Sequence, residues 1–206
     1  MQKFLNDNNT EELEMLYKKS SLNLFIISGF IFLLIVLNIN QLYVLIKPEY
    51  SVALYVVFLV SIAKLSDNLI GNNNAILFNS NYYRIVLLFG VILAILTVTL
   101  NLLLIPSFGI NGAAFATFLS IVMYNIGKLL FVYAKYKISP FSTNTLKTFA
   151  LIILMVVMFY FWEFAFHPIV NIGIKSVLIS SIYISVVYKM HFSAEISAII
   201  NKVIKR

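Results

Sequence analysis

Long apolar runs constrain this chain more than any other feature of its sequence. A bilayer core about 30 Å thick needs roughly 20 apolar residues at a rise of about 1.5 Å per residue. Six segments reach that length, near Leu22 to Ile46, Ser51 to Phe78, Tyr83 to Leu104, Gly112 to Tyr136, Leu146 to Phe166 and Val170 to Tyr188. Between them lie ordinary turn signals: "KPEY" at Lys47 to Tyr50, "NSN" at Asn79 to Asn81, "IPSFGIN" at Ile105 to Asn111, "KISPFSTN" at Lys137 to Asn144, and His167 with Pro168. Composition agrees: 61% of the residues are hydrophobic and 11% charged, against roughly 45–50% and about 25% in soluble domains. The pattern predicts an all-α integral membrane protein with six transmembrane helices across residues 21–190, flanked by cytoplasmic amphipathic segments at 1–20 and 191–206.

The net charge of +7 could suggest nucleic acid, but the placement of the basic residues argues for a membrane topology signal. Lys3, Lys18, Lys19, Arg84, Lys135, Lys137, Lys147, Lys189, Lys202, Lys205 and Arg206 fall on alternate sides of the predicted spans, and the opposite sides hold only Lys47. By the positive-inside rule both termini face the cytoplasm. A cleaved signal peptide does not fit, because an acidic stretch precedes a first run too long for an h-region. At the amino end Asn9 or Thr10 can cap "EELEMLYKK", with Glu11 and Glu12 at the positive end of the helix dipole. In the tail, Phe192, Ile196, Ile199, Ile200 and Val203 form one apolar stripe opposite Lys202, Lys205 and Arg206, as in a helix lying on an anionic leaflet or a plain solvated cap.

Within the second span Ser61, Lys64, Asp67, Asn68, Gly71 and Asn72 recur every three or four residues and share one helical face. A charge at the bilayer centre costs about 2.5–3.5 kcal/mol on insertion scales, so this face must meet protein or a water-filled cavity. Lys64 and Asp67 can offset each other by pairing. Two roles fit the stripe: an ion pair that joins helices, or the wall of a substrate path. The asparagines extend the polarity beyond any one pair and favour the path. Glu163 and Lys175, brought to similar depth by antiparallel neighbours, are candidates for a structural pair. Gly112, Ala113, Ala116, Thr117 and Ser120 give small-residue spacing suited to close helix packing. Tyr160, Trp162 and His167 suit an interfacial aromatic belt.

No cysteine is present and the only histidines are His167 and His191. Neither a metal cluster nor a set of nucleophile, base and orienting group can be assembled, so no metal, no cofactor and no enzyme activity is expected.

The segment "NLLLIPSFGINGAAFAT", Asn101 to Thr117, resembles the signature region in the carboxy-terminal part of Wzx-type polysaccharide flippases, relatives of multidrug and toxin extrusion transporters and lipid II flippases. "KPEY", "LIGNNNAILFNSNYYR" (Leu69 to Arg84) and "KYKISPFS" (Lys135 to Ser142) extend the likeness to nearly the whole chain from Leu13 to Tyr188. The resemblance implies transport of oligosaccharide linked to undecaprenyl pyrophosphate across a bacterial inner membrane, for O-antigen, capsule or exopolysaccharide assembly. It also implies two helical lobes around a cavity that opens alternately to each side. On that reading Lys64, Asn68, Asn72 and Ser61 line the cavity, and Asp67 sets the charge of Lys64 or binds a coupling cation. Full members have two lobes, so the expectation is a truncated or split product that works with a separate amino-terminal half or a second copy. Two other readings stay open: a multidrug-extrusion-like antiporter, and a membrane interaction protein that transports nothing.

Overall fold

The computed structural model describes residues 9–46, 53–164 and 166–204; the "KPEY" turn, Lys3, Lys47, Lys205 and Arg206 lie outside them. Every regular element among the described residues is helical: α1 Thr10–Leu45, α2 Leu54–Leu69, α3 Asn73–Phe78, α4 Tyr83–Tyr136, α5 Thr143–Phe159, α6 Pro168–Lys189 and α7 Ala194–Ile204. Three of these, α1, α4 and α6, are long and apolar enough to cross a membrane.

Local sequence sets most of the boundaries. Asn9 caps α1 by accepting from the Glu12 N–H at 3.2 Å, a type of contact worth about 1 kcal/mol. The amphipathic amino segment and the first apolar run are one continuous helix, because no residue between Thr10 and Leu45 breaks the hydrogen-bond ladder. Ser142 and Thr145 form a reciprocal capping box at the start of α5. Pro168 occupies the first turn of α6, where its missing N–H costs nothing. Two predicted spans end early. The second is interrupted after Leu69, where Gly71 adopts φ +56°, and resumes as the short α3. The fifth stops at Phe159, seven residues before the predicted end at Phe166.

Helix α4 is a hairpin. A straight helix would hold residues 89 and 124 roughly 50 Å apart, yet the rings of Phe89 and Tyr124 lie 6.3 Å apart and those of Tyr82 and Phe131 lie 5.5 Å apart. The chain reverses at Gly109, whose φ of 56° and ψ of −133° break the ladder inside "IPSFGIN". The two arms, residues 83–108 and 110–136, run antiparallel and match the third and fourth apolar runs. At the neck, a Cβ on Gly112 would stand 2.3 Å from the Leu104 carbonyl oxygen, so only glycine permits this approach. Gly112, Ala116 and Ser120 are buried.

The long α1 is the centre of the bundle, touching α2, α5 and α6. One core gathers Phe25, Ile26, Leu33, Ile152, Met155, Phe159, Ile179 and Tyr183 between α1, α5 and α6. Gly29 lets Ile152 and Tyr183 press against the α1 backbone, and the Tyr183 hydroxyl donates to the Ile26 carbonyl at 2.9 Å. A second core joins Leu13 and Tyr17 of α1 to Ile76, Leu77, Val86 and Val132. In lipid, where apolar burial gives no drive between helices, such interfaces hold by close packing and interhelical hydrogen bonds.

Candidate functional site

The contacts fix the direction of every element. Gly71 meets Ser21, Asn125 meets Ser66 and Asp67, Asn38 meets Ser176, and Ser193 meets Asn23. Lys18, Lys19, Arg84, Lys135, Lys137, Lys147, Lys189 and Lys202 consequently gather at one end of the bundle, with the α4 neck and the 160–167 loop at the other. The alternation read from the sequence is thus a spatial segregation of charge.

Part of that basic end is internally neutralised. Lys18 pairs with Glu14 at 2.8 Å, and this bond leads the effects that hold the Glu14 carboxyl below its ordinary range. Lys19 pairs with Glu195 of α7. That contact, with further hydrogen bonds from Asn23 and Ser193, lowers Glu195 to about 2.

The polar stripe of the second span divides into two faces. On one, Lys64 is exposed and Ser61 and Asn68 are half-buried. They line a groove of about 280 Å³ between α1 and α2, shared with Ser28, Ile31, Phe32, Ile35, Val60 and Leu65. The Asn68 amide donates to the Lys64 carbonyl at 3.1 Å. No ion pair joins Lys64 to Asp67; Asp67, also exposed, turns to the other face and meets Asn125 of α4. With the amide nitrogen assigned toward the carboxylate, Asn125 donates to Asp67 Oδ1 at 3.2 Å and accepts from the Asp67 N–H at 3.3 Å. Asn72 lies beyond the helix break, exposed at the start of α3, with no capping bond from its side chain.

Beside Asp67 sits Lys128, 1% exposed. Its ammonium donates to Asn74 Oδ1 at 3.1 Å and lies 4.0 Å from the centroid of the Tyr124 ring. Asn73, fully buried, donates to the Tyr17 hydroxyl at 2.9 Å. Sequence reasoning missed Asn125 and Lys128, although they stand three apart within an apolar run and the periodicity argument used for Lys64 would have found them. Asn171 was missed as well: it is fully buried, and its amide holds Phe164 through the Phe164 N–H at 3.4 Å and the Phe164 C=O at 3.1 Å.

Glu163 and Lys175 are not in ion-pair contact; Glu163 is exposed in the loop and Lys175 is buried in α6. The aromatic residues around Glu163 do cluster, with Trp162 stacked on Phe159 at 5.5 Å. Ala113 and Thr117 are half-buried next to the Gly112 face, and the Thr117 hydroxyl donates to the Ala113 carbonyl at 2.9 Å.

The fold and its apolar helices define a class, an all-helical protein compatible with a membrane setting. No family model, no curated protein and no solved structure matches the chain.

Proposed function

We propose that this chain is the carboxy-terminal portion of a flippase that moves undecaprenyl-pyrophosphate-linked oligosaccharide across a bacterial inner membrane for polysaccharide assembly. The observation that carries the reading is the division of polarity on α2. Asp67 meets Asn125 on the side packed against α4, whereas Lys64, Asn68 and Ser61 face an open groove. An intramembrane lysine that makes no ion pair among the described residues suits a path for an anionic, hydrated cargo. Further support comes from the flippase-like segments around Asn101 to Thr117.

In this reading the chain crosses the bilayer six times, through α1, α2 with α3, the two arms of α4, α5 with the loop that follows it, and α6. The basic end faces the cytoplasm and α7 lies on that leaflet. The Lys64 ammonium offsets pyrophosphate charge, while Asn68, Asn72 and Ser61 hydrate the sugar. A second lobe, supplied by another chain or another copy, closes the cavity, and rocking of the lobes exchanges access.

Complementation of polysaccharide export in a flippase-deficient strain, with the second lobe supplied, tests the reading. Wild-type chain restores surface polysaccharide, and Lys64→Ala cuts it at equal membrane abundance. Full export by Lys64→Ala, or export unchanged when Lys64, Asn68 and Asn72 are all Leu, contradicts a role for this face in transport and favours a non-transporting interaction protein.

A further inference from the structure

The groove between α1 and α2 is graded along its length. Helices α1 and α2 run antiparallel, with Gly71 against Ser21 near the basic end, so Ser28, Lys64 and Asn68 occupy the part of the groove nearer that end. Ile35 and Val60 occupy the part nearer mid-bundle, and Ile31 and Phe32 lie between. A space that begins with a cation and an amide and continues as aliphatic and aromatic wall fits an amphiphile with an anionic head and a hydrocarbon chain.

The charge of that head follows from what surrounds Lys64. Among the described residues no carboxylate lines the groove. The nearest acid in sequence, Asp67, is turned to Asn125. Lys18 and Lys19 at the same end are committed to Glu14 and Glu195, whereas Lys64 makes no ion pair with a described residue. A lysine about two turns below a membrane surface extends its stem along apolar walls and carries its ammonium toward the headgroups. Basic pockets between helices on the cytoplasmic side are suited to anionic lipid heads.

We propose that this groove is a binding site for an anionic phospholipid of the leaflet at the basic end, its phosphate at Lys64 and Asn68 and one acyl chain along Ile31, Phe32, Ile35 and Val60. The site rests on the reading that α1 and α2 lie in a bilayer, and it is independent of the cargo.

Native mass spectrometry of the purified full chain, titrated with dioleoyl phosphatidylglycerol or dioleoyl phosphatidylcholine, reads the site directly. A single lysine beside an anionic head is worth about 1 kcal/mol, or roughly fivefold in affinity. Wild type therefore retains phosphatidylglycerol about fivefold better than phosphatidylcholine. Lys64→Gln removes the preference, and Lys147→Gln, at the same end but outside the groove, preserves it. Ile35→Phe combined with Val60→Phe, which fills the apolar part, lowers retention of both lipids. The fluorescence of Trp162, the only tryptophan and remote from the groove, reports that each variant is folded. Equal retention of the two lipids, or an undiminished preference in Lys64→Gln, overturns the proposal. So does displacement of phosphatidylglycerol by equimolar undecaprenyl phosphate, which would assign the groove to cargo and leave the transport reading standing. Failure of the chain to fractionate with membranes would remove the bilayer premise itself.

Discussion

The two halves of this bundle hold together by different means. Where α1, α5 and α6 meet, the interface is an apolar core of Phe25, Ile26, Leu33, Ile152, Met155 and Phe159, with the Tyr183 hydroxyl tied to a backbone carbonyl. Where α2 and α3 meet α4, polar pairs join Asn125 to Asp67 and Lys128 to Asn74, Asn73 ties α3 to Tyr17 of α1, and Ile76, Leu77, Val86 and Val132 pack beside them. Besides the turn at residues 79–82, the α2 to α4 stretch breaks at two glycines with positive φ, Gly71 and Gly109. The first half is a continuous packed scaffold. The second is jointed at its glycines and carries polar contacts between its helices.

The largest expected effect comes from the joint at Gly71. A side chain there meets both a left-handed backbone and Ser21, whose Oγ would lie 2.2 Å from the new Cβ. Gly71→Val should cost about 3 kcal/mol or more in denaturant unfolding from micelles. The matching change in the scaffold, Gly29→Ala, presses mainly on Ile152 Cδ1, the end of a flexible side chain, and should cost about 1 kcal/mol. Equal costs would erase the contrast between a fixed joint and a yielding core. Next is Asn171→Leu, which strands the N–H and C=O of Phe164 and should cost about 2 kcal/mol. Trp162, two residues away, reports the freed loop through a shifted emission maximum.

Smaller still is Asn125→Leu, which removes the amide facing Asp67. Interhelical hydrogen bonds in membranes average about 0.6 kcal/mol, so unfolding should move by about 1 kcal/mol while the α1, α5 and α6 core stays intact by hydrogen exchange. The least effect belongs to the surface pair Lys19 and Glu195, worth under about 1 kcal/mol because both side chains are substantially solvated. The Glu195 carboxyl is depressed from 4.5 to about 2. Its contribution to docking α7 is therefore full above pH 4.5 and fades as pH falls toward 2. Lys19→Gln should flatten that pH dependence of α7 exchange protection.

How much was legible in the sequence follows from what periodicity can see. Apolar length located every long element, and the two arms of α4 fall on separately read runs. The turn at "IPSFGIN" was found, and so were the Asn9 cap and the small-residue face at Gly112. The break at Gly71 was not, because the polar residues around it were read as one face of a continuing helix; a positive φ leaves no periodicity signal of its own. Periodicity assigned Lys64 and Asp67 to one face, but α2 has neighbours on both sides. Three residues of helix turn them about 60° apart, enough to send the lysine to the groove at α1 and the aspartate to Asn125. Pairings such as Asn171 to Phe164 depend on loop conformation, which side-chain composition does not encode.

Helix α2 is divided between a face open to the groove and a face joined to the buried Asn125 of α4, and this division is the central claim. Because the chain has no cysteine, introduced thiols are unique probes, and a charged methanethiosulfonate reacts only where water ionises the thiol. Labelling rates for Lys64→Cys, Asn68→Cys and Asn125→Cys in proteoliposomes test the division most directly. The account predicts modification at positions 64 and 68 at least tenfold faster than at 125. Equal rates at all three, or fastest labelling at 125, would contradict it.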